Sequence, residues 1–585
     1  MRSGFVMKNS ALRISLGQHS DKGIKPLNQD FHGCYVPSDD LLSSKGITLA
    51  VADGISSSEV SHIASESAVS GFLADYYATT DAWSVKTAVE RVLGATNAWL
   101  YAQTRQGRYD EQDQGYVCTL SALVLKGITA HIFHIGDSRV YRIGSSDIEQ
   151  LTEDHRVRVS SSRSYLARAL GISHRLDLDY VTVPLTTGDV YVLATDGVYE
   201  FVPMADFAER LRAPDADLPT VACDMVSTAL ANGSDDNSTV QIVRIDALPA
   251  LESSDILRQL DTLPCPPPLA PGMSIDGLRI INEIRISSRS HTFLTENMAD
   301  GSRVVLKVPS TGMREDRAYL ERFLAEDWVA RRIDNPHVVK HCVTPLPRSA
   351  IYVATQYLEG QSLVQWMRNY PEPDLTMFRS IMKQIARGLQ ALHRQDMIHQ
   401  DLKPDNILIN DTGSVKIIDF GATRVAGLDE TQLGLAQINL LGSAQYAAPE
   451  YFLGERGTQS SDQFSLGVIA YQMLTGRFPY GDAVPRARTN KRMQSLRYLS
   501  ATQFNPDVPI WMDKAIKRAV DTDPEKRYPH ISEFIHDLSH SNPSYMNFKP
   551  VPLIQRNPLR FWQISTALLT LLVGMLAIKI GLGTN

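Results

Sequence analysis

Between Ile245 and Leu278 the chain reads DALPALESSDILRQLDTLPCPPPLAPGMSIDG. Its prolines remove backbone donors and favour extended chain, so no helix or central strand can run through it. Whatever lies on either side must therefore close its own core. A weaker interruption, SNPSYMNFKPVPLIQRNPL over 541–559, sets off a short tail. The expected organisation is a first domain over 10–245, a Pro-rich linker over 246–276, a second domain over 277–540, a juxtamembrane linker over 541–560 and a membrane helix over 561–580. Of the 585 residues 43% are hydrophobic and 21% charged, the composition of a chain that can bury sizeable cores.

The tail segment FWQISTALLTLLVGMLAI, Phe561 to Ile578, carries no charge over a length that can span a bilayer. Arg556 and Arg560 precede it, so the positive-inside rule places both domains on the cytoplasmic face of an inner membrane, held by a single-pass C-terminal anchor in contact with lipid. A buried helix of the second domain is the other reading of this run. A net charge of −7, with no basic cluster, excludes nucleic acid as a partner. The five cysteines, Cys34, Cys118, Cys223, Cys265 and Cys342, form no CxxC pair, which fits a reducing compartment and no thiolate metal site.

Upstream of the linker, short apolar runs end repeatedly in an Asp at a turn. These are NQDFHG around Asp30, LAVADG around Asp53, FHIGDSRVYR around Asp137, VLATDG around Asp196 and SDDNSTV around Asp236. The runs read as buried strands, and SEVSHIASESAVSGFLADYY reads as an amphipathic helix. One such Asp only makes a turn. The five together, in this order, resemble the metal-dependent type-2C protein phosphatases from about residue 12 to 245.

That resemblance implies an α/β/β/α sandwich with two or three Mg²⁺ or Mn²⁺ ions, about 3.5–4 Å apart when paired, clamping the phosphoryl oxygens and activating water. On this chain it implies that Asp53 bridges two ions, the Gly54 carbonyl joins the second, Asp196 and Asp236 complete the first, and Asp30 orients water. Asp137 matches the position of a weaker third ion. Lys25 falls where the family has an arginine for the substrate phosphate and offers a point charge in place of a fork. The chain departs from the family at DGISS, at Gln29, and in a segment of about ten residues between His155 and LARALG that implies a shortened flap.

From Leu278 to Leu538 the chain resembles Hanks-type Ser/Thr protein kinases, implying a two-lobed fold that binds ATP with Mg²⁺. VVLKV supplies Lys307 for the ATP phosphates, RFLAEDWVARRI supplies Glu326 as its partner, and IIDFG supplies Asp419 for magnesium. In HQDLKPDN, Asp401 is implied to take the substrate proton, Lys403 to neutralise the transferred phosphate, and Asn406 to hold a second metal. Glu450 and Arg527 are expected as a structural ion pair, Asp462 as a further family residue, and His399 as a packing residue. Gln356 and Leu358 join the expected ATP-binding set.

Two departures stand out. Gln400 replaces an arginine that in relatives grips a phosphorylated loop, which leaves the transfer chemistry intact. The nucleotide loop IRISSRSHTF has no glycine; Arg285, Ser287 and Ser290 occupy the three usual positions.

The sequence thus reads as a bifunctional enzyme, a membrane-tethered phosphatase joined to a kinase, acting on Ser/Thr or phospho-Ser/Thr of proteins, itself included. The alternatives are an active phosphatase with a pseudokinase docking domain, and a non-catalytic membrane scaffold.

Overall fold

The computed structural model describes residues 12–107, 109, 112–160, 163–249, 260, 262–429 and 444–542, with 562–563, 565–566 and 569–570 beyond them. In the first half, two five-stranded sheets lie face to face. One orders the strands Arg13–Asp21, Ser238–Ala247, Val190–Ala194, Arg139–Ile143 and Ile148–Gln150. The other orders Asp179–Pro184, Thr129–Ile135, Leu120–Lys126, Ile47–Asp53 and Asp30–Tyr35.

Strands such as ITLAVAD are apolar on both faces because both are covered. Leu49, Val51, Leu123 and Ile132 of one sheet pack against Tyr191, Leu193, Val243 and Ile245 of the other. Helices Ser61–Ala78 and Val85–Gln106 cover the second sheet through Phe72, Tyr76, Val89 and Leu93. Helix Leu218–Ala231 covers the first through Val221, Met225 and Val226. The expected four-layer sandwich is therefore the observed one.

In the second half, strands Ser274–Ile275, Leu278–Ile286, Ser290–Asn297, Arg303–Pro309 and Val353–Gln356 form one antiparallel sheet, with helix Arg317–Arg332 against it. A helical lobe follows. In helix Leu375–His393, Asp374 accepts from the Thr376 and Met377 amides. Phe378, Ile381, Met382, Ile385, Leu389 and Leu392 recur at helical spacing on its buried face. Helix Gln459–Thr475 is buried on nearly every side, opened by a Thr458–Ser461 capping box and closed by Gly476 at φ 67°.

The Pro-rich stretch is more engaged than a free linker. Leu263 and Cys265 pack on the apolar cluster that runs from helix Arg317–Arg332 into the helical lobe and Leu269 on the sheet core, and the Pro264 carbonyl accepts from the Ile351 amide. Its scattered apolar residues explain this. Among the described residues no helix is long and apolar enough to cross a membrane, and most of the expected anchor at 561–580 lies outside them.

Candidate functional site

Antiparallel pairing sets Asp30, the first residue of its strand, directly opposite Asp53, the last of its own. Asp196 opens the helix Asp196–Tyr199 at the end of strand Val190–Ala194. Asp236 precedes the neighbouring strand Ser238–Ala247, and Asp137 sits in the turn before Arg139–Ile143. The expectation that each Asp ends an apolar run is therefore corrected for Asp30 and Asp236, which precede or open strands. In an antiparallel sheet the start of one strand and the end of its neighbour share an edge, so both kinds meet.

Burial pushes Asp30 up to about 6 and, with Asp137, Asp236 and Asp30 nearby, Asp196 up to about 7. Asp53 rises well above the ordinary carboxylate range through burial and the charges of Asp30, Asp196, Asp137 and Asp236. Oδ1 of Asp30 and Oδ1 of Asp196 are buried without a hydrogen-bond partner. Unsatisfied anionic oxygens in a cluster of like charges fit a hard divalent cation, which takes oxygen ligands.

Cationic side chains already stand on part of this set. The guanidinium of Arg156 donates to Asp137, to Asp196 Oδ2 at 2.7 Å and to Glu200 at 2.6 Å. Lys25 Nζ lies 3.2 Å from Asp236 Oδ1 and 3.3 Å from Ser56 Oγ. Among the described residues no three His, Cys, Asp or Glu side chains form a ready metal cage. Arg156 went unnoticed in the sequence because its partners are 19, 40 and 44 residues away.

The two local departures also find a use. Gln29 Nε2 donates to the Ser58 carbonyl and Ser61 Oγ, tying down the DGISS turn. Gly54 has no room for a side chain, since a Cβ would lie 2.9 Å from the Gln29 carbonyl oxygen.

In the second domain, Lys307 Nζ contacts Glu326 Oε2 at 2.8 Å and Asp419 Oδ1 at 3.1 Å. Burial alone raises Asp419, but Lys307 outweighs it and holds that carboxyl at about 2. Asp419 has φ 68°, a conformation that non-glycine residues hold only where surrounding contacts impose it. Asp401 Oδ2 accepts from Lys403 Nζ at 2.6 Å, and Asn406 Nδ2 donates to the Asp401 carbonyl at 2.9 Å.

The catalytic-loop segment is hung on Asp462, which is fully buried and accepts from the His399 amide, the Gln400 amide and His393 Nε2. Gln400 is left-handed, at φ 63°, as this double amide contact requires. His399 is fully buried, with neither ring nitrogen hydrogen-bonded, and packs edge-on against Phe420. Gln356 is exposed at the end of its strand and Leu358 is half-buried beside the helical lobe.

The nucleotide loop is a tight turn at Ser287–Ser290. Ser287 Oγ accepts from the Ser290 amide at 2.9 Å and the Arg289 amide at 3.3 Å. Arg285 is exposed on the preceding strand, outside that turn.

Residues 18–237 match the sequence family protein phosphatase 2C, and residues 287–544 match the protein kinase domain family. The chain therefore carries a phosphatase-2C domain followed by a protein kinase domain. It is 30% identical over 254 residues to serine/threonine-protein kinases PknA of Corynebacterium glutamicum, covering 42% of this chain and 52% of that protein. It is 28% identical over 273 residues to serine/threonine-protein kinase PrkC of Bacillus subtilis, covering 46% and 41%. The chain thus spans about half, or less, of the length of these curated relatives. Among solved structures, the Mycobacterium tuberculosis phosphatase PstP is 24% identical with a TM-score of 0.34, covering 40% of this chain and 99% of its own. The PknI kinase domain of the same organism is 22% identical with a TM-score of 0.36, covering 47% and 100%.

Proposed function

We propose that the chain is a bifunctional signalling enzyme that phosphorylates Ser/Thr of proteins with ATP and hydrolyses phospho-Ser/Thr, tethered by 561–580 to the cytoplasmic face of an inner membrane. Two observations support the reading: Lys307 contacts both Glu326 and Asp419, and Asp53 lies within the field of Asp30, Asp196, Asp137 and Asp236, contributed by the two stacked sheets. Eighteen uncharged residues from Phe561 to Ile578 support the tether.

In the kinase domain, Asp401 orients the protein hydroxyl and receives its proton while Lys403 lies beside the transferred phosphate. Lys307 grips the ATP phosphates, Ser287 and Ser290 lie over them, Gln356 and Leu358 border the nucleotide, and Asn406 and Asp419 hold Mg²⁺. In the phosphatase domain, Asp53, Asp196, Asp236, Asp30, Asp137 and the Gly54 carbonyl would hold Mg²⁺ or Mn²⁺. Bound there, the ions supply Lewis-acid charge for hydrolysis. Lys25 swings from Asp236 to the substrate phosphate, a short move for a flexible point charge.

The test is label flow. The full chain, given labelled ATP and Mn²⁺, gains and then loses protein-bound phosphate; Asp53→Ala gains and keeps it; Asp401→Ala gains none. Loss of label at an equal rate from Asp53→Ala would remove the phosphatase assignment, and labelling of Asp401→Ala would remove the kinase assignment.

A second reading, a pseudokinase domain, draws on the nucleotide loop, whose Ser290 and Arg289 amides are already spent on Ser287 Oγ. Releasing one such bond is worth about 0.5–1.5 kcal/mol. Ser287→Gly is therefore expected to lower the KM for ATP by about two- to tenfold, measured from initial autophosphorylation rates. An unchanged or higher KM means that the hydroxyl does not compete with phosphate.

A further inference from the structure

The turn at 79–84, between helices Ser61–Ala78 and Val85–Gln106 of the phosphatase domain, is seated on the kinase domain. Asp81 receives Nη2 of Arg332 at 2.8 Å and its Nε at 3.1 Å. Arg332 is the last residue of the helix that carries Glu326, and its guanidinium lies 3.7 Å from the Trp328 ring centroid. Trp83 Nε1 donates to the Arg394 carbonyl at 2.7 Å, just before the catalytic loop.

The stretch between Asp419 and Glu450, the activation segment, is held near its start from two sides. The Gly427 amide donates to the Ala82 carbonyl at 3.1 Å, and the Gly427 carbonyl accepts from Lys126 Nζ at 3.0 Å. Ala82 is fully buried and belongs to the same apolar cluster as Phe323, Trp328 and Leu392 of the kinase. Lys126 is 1% exposed, an ammonium withdrawn from water at this contact. A Cβ at Gly427 would come within 2.2 Å of the Asp81 carbonyl oxygen, so only glycine permits this approach. The turn is itself pre-ordered, because buried Lys45 donates to Thr79 Oγ1 at 2.6 Å and to the Thr80 carbonyl at 2.8 Å.

We propose that the phosphatase domain is a cis-acting positive regulator of the kinase domain. Its 79–84 turn clamps the end of the Glu326 helix to the activation segment and so favours the arrangement in which Glu326 meets Lys307. The clamp is independent of phosphatase turnover. Lys126 lies seven residues along its strand from Thr119, which bonds Asp53, a separation of about 23 Å at strand rise. The carboxylate edge therefore stays open while the domains are docked.

The inference rests on reading the second domain as a kinase, so the experiment measures docking and activity separately. Full-length protein carrying Asp53→Ala, which retains its label, is compared with the same protein carrying Asp81→Arg, Arg332→Asp, or both. Hydrogen exchange is read at 317–332 and 426–429, and autophosphorylation is read as an initial rate. Phosphopeptide hydrolysis by Asp81→Arg with Asp53 intact reports that the first domain still folds. Each single reversal is expected to speed exchange in both segments and to slow autophosphorylation about tenfold, and the double reversal to restore at least half of each. Unchanged exchange in both single variants overturns the docking. Faster exchange with an unchanged or increased kinase rate overturns the positive sign. If the parent protein shows no autophosphorylation, the kinase reading and the positive sign fall together, while exchange still decides the docking.

Discussion

Asp401→Asn lowers the initial rate of phosphate transfer by about 10²–10⁴-fold, the usual worth of a positioned general base and equal to about 2.7–5.5 kcal/mol of barrier. The substitution keeps the shape of the side chain and its contact with Lys403, which lies 2.6 Å from Oδ2. What it removes is the oxygen that, in the proposed function, aligns the hydroxyl and accepts its proton. In the proposed function ATP is held by other groups, Lys307 with its partners Glu326 and Asp419, so the KM for ATP is expected to move less than about threefold. The measurement is initial label incorporation in an Asp53→Ala background over a range of ATP concentrations. A loss below about tenfold would show that Asp401 is not the proton acceptor.

What the sequence revealed and what it concealed follow one rule. Groups were legible when their chemistry is carried by type and order along the chain. The five Asp of the phosphatase domain and Asp401, Asn406 and Asp419 of the kinase domain sit at turns and element ends beside apolar runs, whereas Lys307 lies within a strand and Glu326 within a helix, and those two were read from the motif alone. The antiparallel register that sets Asp30 opposite Asp53 was not legible, because an Asp that opens a strand and one that closes it look alike in one dimension.

Pairings without a motif stayed hidden altogether. Arg156 follows His155 with no motif around it, and only the fold brings it onto Asp137, Asp196 and Glu200. Lys126 reads as the polar end of a buried strand, yet its acceptor is a carbonyl 301 residues away. Gly427 reads as one loop glycine among many until the Asp81 carbonyl is seen against it. The break at the prolines correctly implied two cores; it carried no information on how one would touch the other.

The largest expected loss of stability lies outside both proposed reaction centres, at Arg527. Its guanidinium is fully buried and meets Glu450 through two bonds, 2.9 Å to Oε1 and 2.8 Å to Oε2. Nε donates to the Asp521 carbonyl and Nη1 to that of Ser460, while Ser461 Oγ donates to Glu450. Burial alone would raise the Glu450 carboxyl, but these bonds hold it below its ordinary range. Arg527→Ala removes every one of the guanidinium contacts and leaves the carboxylate buried without its cation, which costs about 3–5 kcal/mol. That is a large share of the roughly 5–15 kcal/mol that holds a domain folded. Calorimetry of the full chain should show the kinase-domain transition falling by about 10 °C, at about 2–4 °C per kcal/mol for a domain of this size. The phosphatase transition, identified by its shift with Mn²⁺, should stay in place. Replacing both partners, as in Glu450→Gln with Arg527→Met, removes the charge together with its counter-charge and should recover at least half of the loss. If Arg527→Ala costs less than about 1 kcal/mol, or the double variant is worse than the single, then the pair is not what secures the end of the activation segment to the helical lobe.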